Sequence, residues 1–106
     1  MIVVRSRNGA PIRLSDERWR RILKRHPELQ DQKEKVLDTL VSLVSADLIQ
    51  EGDVDTLICA RHYSDTPVNE KFLVVVYREV GETDGFVLTA YFTNEPSGRR
   101  RVLWSR

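Results

Sequence analysis

The sequence predicts an α+β domain: a short β-hairpin, two helices, then an antiparallel meander that the helices cover on one face. Two observations carry this. Apolar residues recur at steps of three and four over positions 16–26 and 30–44, the spacing of an amphipathic helix, with charged residues between them. Beyond position 47 the pattern changes to short runs rich in β-branched and aromatic residues, separated by Gly, Asp, Asn or Pro.

Taken in order, "IVVRS" and "PIRLS" flank Asn8-Gly9, the dipeptide that most readily supplies two positive φ angles in a tight turn, so a hairpin is expected over 2–14. Ser15 followed by Asp16 and Glu17 reads as a helix start, a side-chain cap with acids beside the positive end of the dipole. Pro27 disfavours helical geometry at the residue before it, which places His26 at the helix C-terminus. Val36, Leu37, Leu40, Leu43 and Val44 mark the second helix. Four strands follow in "LIQEG", "DTLICARHY", "KFLVVVYREV" and "GFVLTAYF", and "RVLWS" adds an edge strand. The expected core sets Trp19, Ile22, Leu23, Val36, Leu37 and Leu40 against Val74, Val76, Leu88 and Ala90.

With 106 residues the chain is one domain, 1–106, with a single core. It has no apolar run near the roughly 18 residues of a membrane span, and the opening apolar stretch is too short for a signal-peptide core. A cytoplasmic protein without membrane contact is expected. The single cysteine, Cys59, excludes an internal disulfide and a thiolate zinc site. In an apolar strand it reads as inert. The two histidines show no metal-ligand spacing and the glycines form no phosphate-cradling loop, so neither metal nor other cofactor is expected.

The net charge of +1 conceals a polarity. Positions 1–28 carry eight Lys or Arg against three acids, and positions 29–57 carry two against seven. A basic patch follows, to which Arg99, Arg100 and Arg101 would add if the C-terminal strand lay near the first helix. A polyanion is a partner such a patch suits; the alternative is that these are solvated helix faces and a frayed tail.

Strand alternation in "GFVLTAYFT" sets Phe86, Leu88, Ala90 and Phe92 under the helices, and Thr89 and Tyr91 on the open face. In "DTLICARHY", assigning Ile58 and Ala60 to the core places Arg61 and Tyr63 on the open side with them. His26 completes the apolar stripe Trp19, Ile22, Leu23 at i+7, where it either caps and packs or moves a proton.

"LSDERWRRILKRHPEL", with "RHPEL" ending the first helix, and "TAY" on a late strand resemble the nuclease-fold group shared by barnase, EndoU, colicins of the E and D types, and RelE toxins, in its small phage-associated and bacterial branch. The resemblance spans about positions 15 to 93. It implies two helices packed on an antiparallel sheet whose exposed face cleaves RNA without metal, and a toxin-like or phage-derived role. It maps the catalytic histidine to His26, the basic strand residue to Arg61, and the late-strand hydroxyls to Thr89 and Tyr91. Substrate binding is expected from Arg25, Tyr63, Lys71 and Arg99 to Arg101. The implied partners are RNA and an antitoxin or immunity protein, with the domain a monomer or small homo-oligomer. The competing expectations are a catalytically inactive nucleic-acid-binding domain of the same fold and a protein-interaction module.

Overall fold

The computed structural model describes residues 2–6, 8–41 and 47–105. Element order is β1 (Ile2–Arg5), β2 (Pro11–Leu14), α1 (Asp16–Arg25), a 3-10 turn (Pro27–Leu29), α2 (Lys33–Leu40), β3 (Leu48–Glu51), β4 (Thr56–His62), β5 (Phe72–Val80), β6 (Asp84–Thr93) and β7 (Val102–Ser105). The α+β class and the hairpin, helix, meander sequence are as expected. No described helix is long and apolar enough to cross a membrane.

The seven strands form one sheet in the order β1-β2-β6-β5-β4-β3-β7. The hairpin pairs antiparallel over Ile2↔Leu14 to Arg5↔Pro11. Its turn differs from the two-positive-φ form: Gly9 adopts φ 84 and Asn8 does not, while the Gly9 amide donates to the Ser6 carbonyl at 2.9 Å. A Gly in the left-handed region after a turn is the longer-loop hairpin solution.

Ser15 caps α1, accepting from the Arg18 amide at 3.1 Å. The helix stops at Arg25, and His26 leaves helical geometry at φ −132. α2 is shorter than its periodicity suggests. Pro27–Leu29 forms a 3-10 turn and Asp31 takes φ 65, so the helix cannot start before Lys33. Leu43 and Val44 lie outside the described residues.

Pairing beyond the hairpin is antiparallel apart from one contact that sequence pattern did not reveal. β2 pairs parallel with β6 through Arg13↔Phe86, reinforced by a 3.0 Å Arg13–Asp84 ion pair. This close approach needs a glycine: a Cβ on Gly85 would stand 2.5 Å from Ile12 Cδ1 and 2.6 Å from the Arg78 carbonyl oxygen.

The core joins Ile12 and Leu14 of β2, Ile22 of α1, Leu29, Val36 and Leu40 to Cys59, Leu73, Val75, Tyr77, Val87 and Ala90 of the sheet, with Trp19, Leu23 and Leu37 partly buried around it. Three placements therefore need correction. Val75 and Tyr77, rather than Val74 and Val76, face the helices. On β4, Cys59 faces them rather than Ile58 and Ala60. On β6, Val87 and Ala90 are both core, because a bulge opposite Val76 and Tyr77 inverts the alternation and turns Leu88 toward α1.

The physical reason is that this sheet is covered on both faces. β6 and β7 run in the same direction through the chain of antiparallel pairs, so residues 94–101 cross the face opposite the helices. Beneath this strap Val74 is only 3% exposed. With apolar residues wanted on both faces, composition could not say which set met the helices.

Candidate functional site

α1 runs beside the part of β6 that β2 leaves unpaired, and in the same direction. Arg18 borders Phe86 and Val87, Ile22 and Arg25 border Leu88 and Thr89, and His26 reaches Tyr91. The direction follows from β2, which parallels β6 and passes into the helix within two residues. Arg18, Arg21 and Arg25 recur at i, i+3 and i+7, which aligns them on one helix face. They line a furrow of about 290 Å³ with Ile22, Leu88 and Thr89.

Charge in the furrow is largely uncompensated. Arg21 pairs with Glu17 at 2.9 Å, but both are well exposed and such a pair restrains little. Among the described residues, neither Arg18 nor Arg25 has an ion-pair partner.

His26 stands where the furrow ends. Its backbone N–H closes α1 by donating to the Ile22 carbonyl at 2.8 Å, which leaves the imidazole free to turn outward. Nδ1 lies 3.5 Å from Glu28 Oε1, and each side chain is 29% exposed. The 3-10 turn after Pro27 is what brings Glu28 back toward the ring. On the other side the imidazole stacks at a tilt on Tyr91, ring centroids 5.9 Å apart. One nitrogen thus faces a carboxylate. The two stand at ion-pair distance, and Nε2 is the nitrogen left to take a proton.

Of the residues expected to act together, His26, Arg25, Thr89 and Tyr91 do converge. Arg61 and Tyr63 do not join them. Arg61 is in register with Leu73, and Leu73 with Phe92, on the helix side; Tyr91 is in register with Val74 and Ala60 on the strap side. The Arg61 guanidinium lies over the Tyr63 ring at 4.9 Å. Tyr63 is pinned to α2: its hydroxyl donates to the Lys35 carbonyl at 3.1 Å and lies 3.0 Å from the Thr39 hydroxyl. Burial pushes its phenol above the usual tyrosine range, opposed by the Thr39 contact and the Arg61 charge. Lys71 is also engaged elsewhere, donating to Thr66 Oγ1 and the Val68 carbonyl at 3.3 Å each.

The arginine triplet lies away from α1, because β7 is the sheet edge beyond β3 and α1 flanks β6. Arg100 pairs with Asp53 at 2.9 Å and Arg101 with Glu51 at 3.7 Å, while Arg99 is exposed. Arg100 nonetheless lines a cavity under the strap that shares Tyr91. Cys59 is fully buried, its thiol pushed up to about 12 by desolvation, and donates to the Val75 carbonyl at 3.5 Å. That environment suits an inert core residue.

Sequence reasoning missed Glu28, Arg18 and Arg21. The spacing of the arginines was legible but was read as diffuse basic charge, and Glu28 two residues after His26 approaches it only through the 3-10 turn. Among the described residues no cluster of three or more His, Cys, Asp or Glu is arranged to hold a metal ion. No family model, curated protein or solved structure matches this chain.

Proposed function

We propose that the domain is a metal-independent endoribonuclease, toxin-like or phage-derived, with its active site at the end of the α1–β6 furrow rather than across the open sheet face. The observation that carries this reading is the joining of a half-buried His26–Glu28 pair to a furrow in which Arg18 and Arg25 have no ion-pair partner among the described residues. The resemblance of "RHPEL" and "TAY" to the barnase, EndoU, colicin and RelE group points the same way, since His26, Thr89 and Tyr91 meet here.

In this mechanism the furrow takes the phosphate backbone, with Arg18 and Arg25 supplying guanidinium forks to phosphate oxygens. The substrate's own 2′-hydroxyl attacks phosphorus and gives its proton to His26 Nε2. Glu28 holds the opposite nitrogen and stabilises the imidazolium that forms. Arg25 and the Thr89 hydroxyl stabilise the charge that gathers on the phosphorane oxygens. Tyr91 can donate to the departing 5′-oxygen. The products end in a 2′,3′-cyclic phosphate and a 5′-hydroxyl.

The test is incubation of purified protein with several RNA classes, transfer RNA included, in a chelator. Cleavage to cyclic-phosphate ends is expected, blocked by 2′-deoxy substitution at the cleaved position. His26→Ala and Glu28→Gln should each lower the rate by about 10² to 10⁴ while the fold persists. Inertness across all RNA classes, or full activity of His26→Ala, overturns the reading. Salt-sensitive RNA binding without cleavage would instead support the catalytically inactive binding domain, which the same unpaired arginines favour.

A further inference from the structure

The strap leaves one corner of the sheet face it crosses uncovered. Val74 lies beneath it and is buried, whereas Val76 and Arg78, further along the same strand and on the same face, are part-exposed, as is Phe86 of β6. Across this corner the register sets Arg78 of β5 beside Phe86, and Phe86 beside Arg13 of β2. All three point away from the helices because their neighbours in the chain are core: Ile12 and Leu14 flank Arg13, Tyr77 precedes Arg78 and Val87 follows Phe86. An aromatic ring thus stands between two guanidinium groups.

The ring and one cation are held together. The Arg78 guanidinium carbon lies 5.9 Å from the Phe86 ring centroid, and its Nη2 donates to the Val54 carbonyl at 3.3 Å. Arg13 is engaged by Asp84 at 3.0 Å, whereas Arg78 has no ion-pair partner among the described residues, so the uncompensated charge of the corner is that of Arg78. Aromatic rings and guanidinium planes are the surfaces on which unpaired bases stack, and the cation also attracts a polyanion.

The corner is continuous with the furrow. Arg18 borders both, lining one cavity with Phe86 and the next with Arg25. Arg18 and Arg25 stand about 10 Å apart along α1. Phe86 and Tyr91 are in register with Arg78 and Val74, four residues apart on β5, which spaces their backbones by about 14 Å. Because α1 and β6 run in the same direction, the row of cations and the row of aromatics lie side by side, and both end at His26.

We infer that this corner is a stacking platform for single-stranded RNA, on which Phe86, with the Arg78 guanidinium beside it, takes an unpaired base a few nucleotides from the phosphate that His26 serves. The inference deepens the ribonuclease reading, on which it rests for the place of the scissile phosphate; the binding itself is measured without cleavage. The phosphates follow the arginines of α1, and the bases turn over the edge of β6 onto the sheet. Stacking tolerates any sequence, since every base has a π-face, but not pairing, since a duplex keeps those faces within its own stack. The preferred substrate is therefore an unpaired stretch long enough to reach from His26 to Phe86.

The experiment follows, by fluorescence anisotropy at moderate salt, the binding of a labelled 2′-O-methyl octanucleotide to the full chain, alone and annealed to its complement. This RNA lacks the attacking hydroxyl, so binding is read without cleavage. The single strand should bind roughly tenfold more tightly than the duplex, or better. Phe86→Leu, which keeps an apolar side chain but has no π-face, should weaken single-strand binding roughly five- to a hundredfold, while Phe86→Trp should bind at least as well as the parent. Arg78→Gln should weaken binding as well, and carries the test if Phe86→Leu fails to fold. Binding unchanged in both variants, a duplex bound as tightly as the single strand, or no binding by the parent each overturns the inference. Concentration-dependent dimers that Phe86→Leu abolishes would give the face to a second copy and overturn it too. Binding that depends on Phe86 in a protein inert on every RNA class sinks the ribonuclease reading and leaves the platform standing. Cleavage by a parent whose binding ignores Phe86 does the reverse.

Discussion

Gly85→Ala probes the close approach at which β2 of the N-terminal hairpin pairs with β6. The new Cβ would lie 2.5 Å from Ile12 Cδ1, 2.6 Å from the Arg78 carbonyl oxygen and 3.2 Å from the Pro11 carbonyl oxygen. Favourable carbon contacts lie near 3.5 to 4.0 Å, so the methyl intrudes by about 1 Å, and two of its three neighbours are backbone atoms that cannot swing away. Overpacking of this kind costs about 1 to 3 kcal/mol. Gly85 does not use a positive φ, so alanine also restricts the unfolded chain and returns about 0.4 to 1 kcal/mol. The expected net loss is about 1 to 2 kcal/mol, which lowers Tm by roughly 4 to 16 °C for a domain of this size. Thermal and urea melts followed by circular dichroism measure it. Ile12→Val removes the clashing Cδ1, so the double variant should lose less than the two single losses combined, with a coupling of about 0.5 kcal/mol or more. A Tm for Gly85→Ala equal to or above the parent would refute the β2–β6 contact.

Tyr63→Phe should cost about 1 kcal/mol, because it removes the hydroxyl's bond to Lys35 on α2, yet leave RNA cleavage unchanged; a large loss of activity with little loss of stability would return Tyr63 to the site. Charge removal in Arg18→Ala and Arg25→Ala should reduce the salt dependence of RNA affinity by about 0.7 log unit per log salt for each lost phosphate contact, whereas Arg99→Ala leaves it near the parent value. Equal effects at the three positions would place the backbone across both edges. Alkaline stability follows from burial: Cys59, pushed up to about 12, and Tyr63, raised above its ordinary value, both release protons sooner in the unfolded chain. Their stabilising contribution is complete below the unfolded values, near 9 and 10, and is lost as pH rises toward the folded ones. Urea midpoints should therefore fall from about pH 9 upward, and Cys59→Ala should flatten part of that fall; a midpoint constant to pH 11 contradicts the burial. In the native state Cys59 should not react with aromatic disulfide reagents over the minutes in which the urea-unfolded chain reacts fully.

The elements were legible because each has a local cause. Ser15 and the acids after it start α1, Pro27 ends it, and the turn residues divide the strands, so these boundaries follow from short-range chemistry. What was not legible was set by long-range contacts. The face of β4 that meets α2 depends on residues 94–101 covering the other face, and nothing in "TLICARH" signals that cover. The β6 bulge exchanges the expected faces of Phe86 and Val87, setting Val87 beside Tyr77 in the core and Phe86 beside Arg78, without a glycine or proline at the point of reversal. His26, Thr89 and Tyr91 could be chosen from residue type and position. The residues that stand beside them, Arg18 and Glu28, depend on α1 lying along the edge of β6 and on the turn that follows it, an arrangement in which one parallel pair sets the course of α1.

That parallel pair also sets a timetable. Arg13 and its partner Asp84 are 71 positions apart, so a ribosome adding about 5 to 20 residues per second makes β2 roughly 4 to 14 s before β6 exists to receive it. During this wait the hairpin is a two-stranded fragment of marginal stability, with Ile12 and Leu14 open to water or to a chaperone. One wall of the furrow is on α1 and the other is on β6. A nascent chain stalled before Leu88 carries every arginine of the furrow and His26, but has no cleft in which to use them. Any activity the furrow has is withheld until β6 has been made, by strand order alone and without an inhibitor.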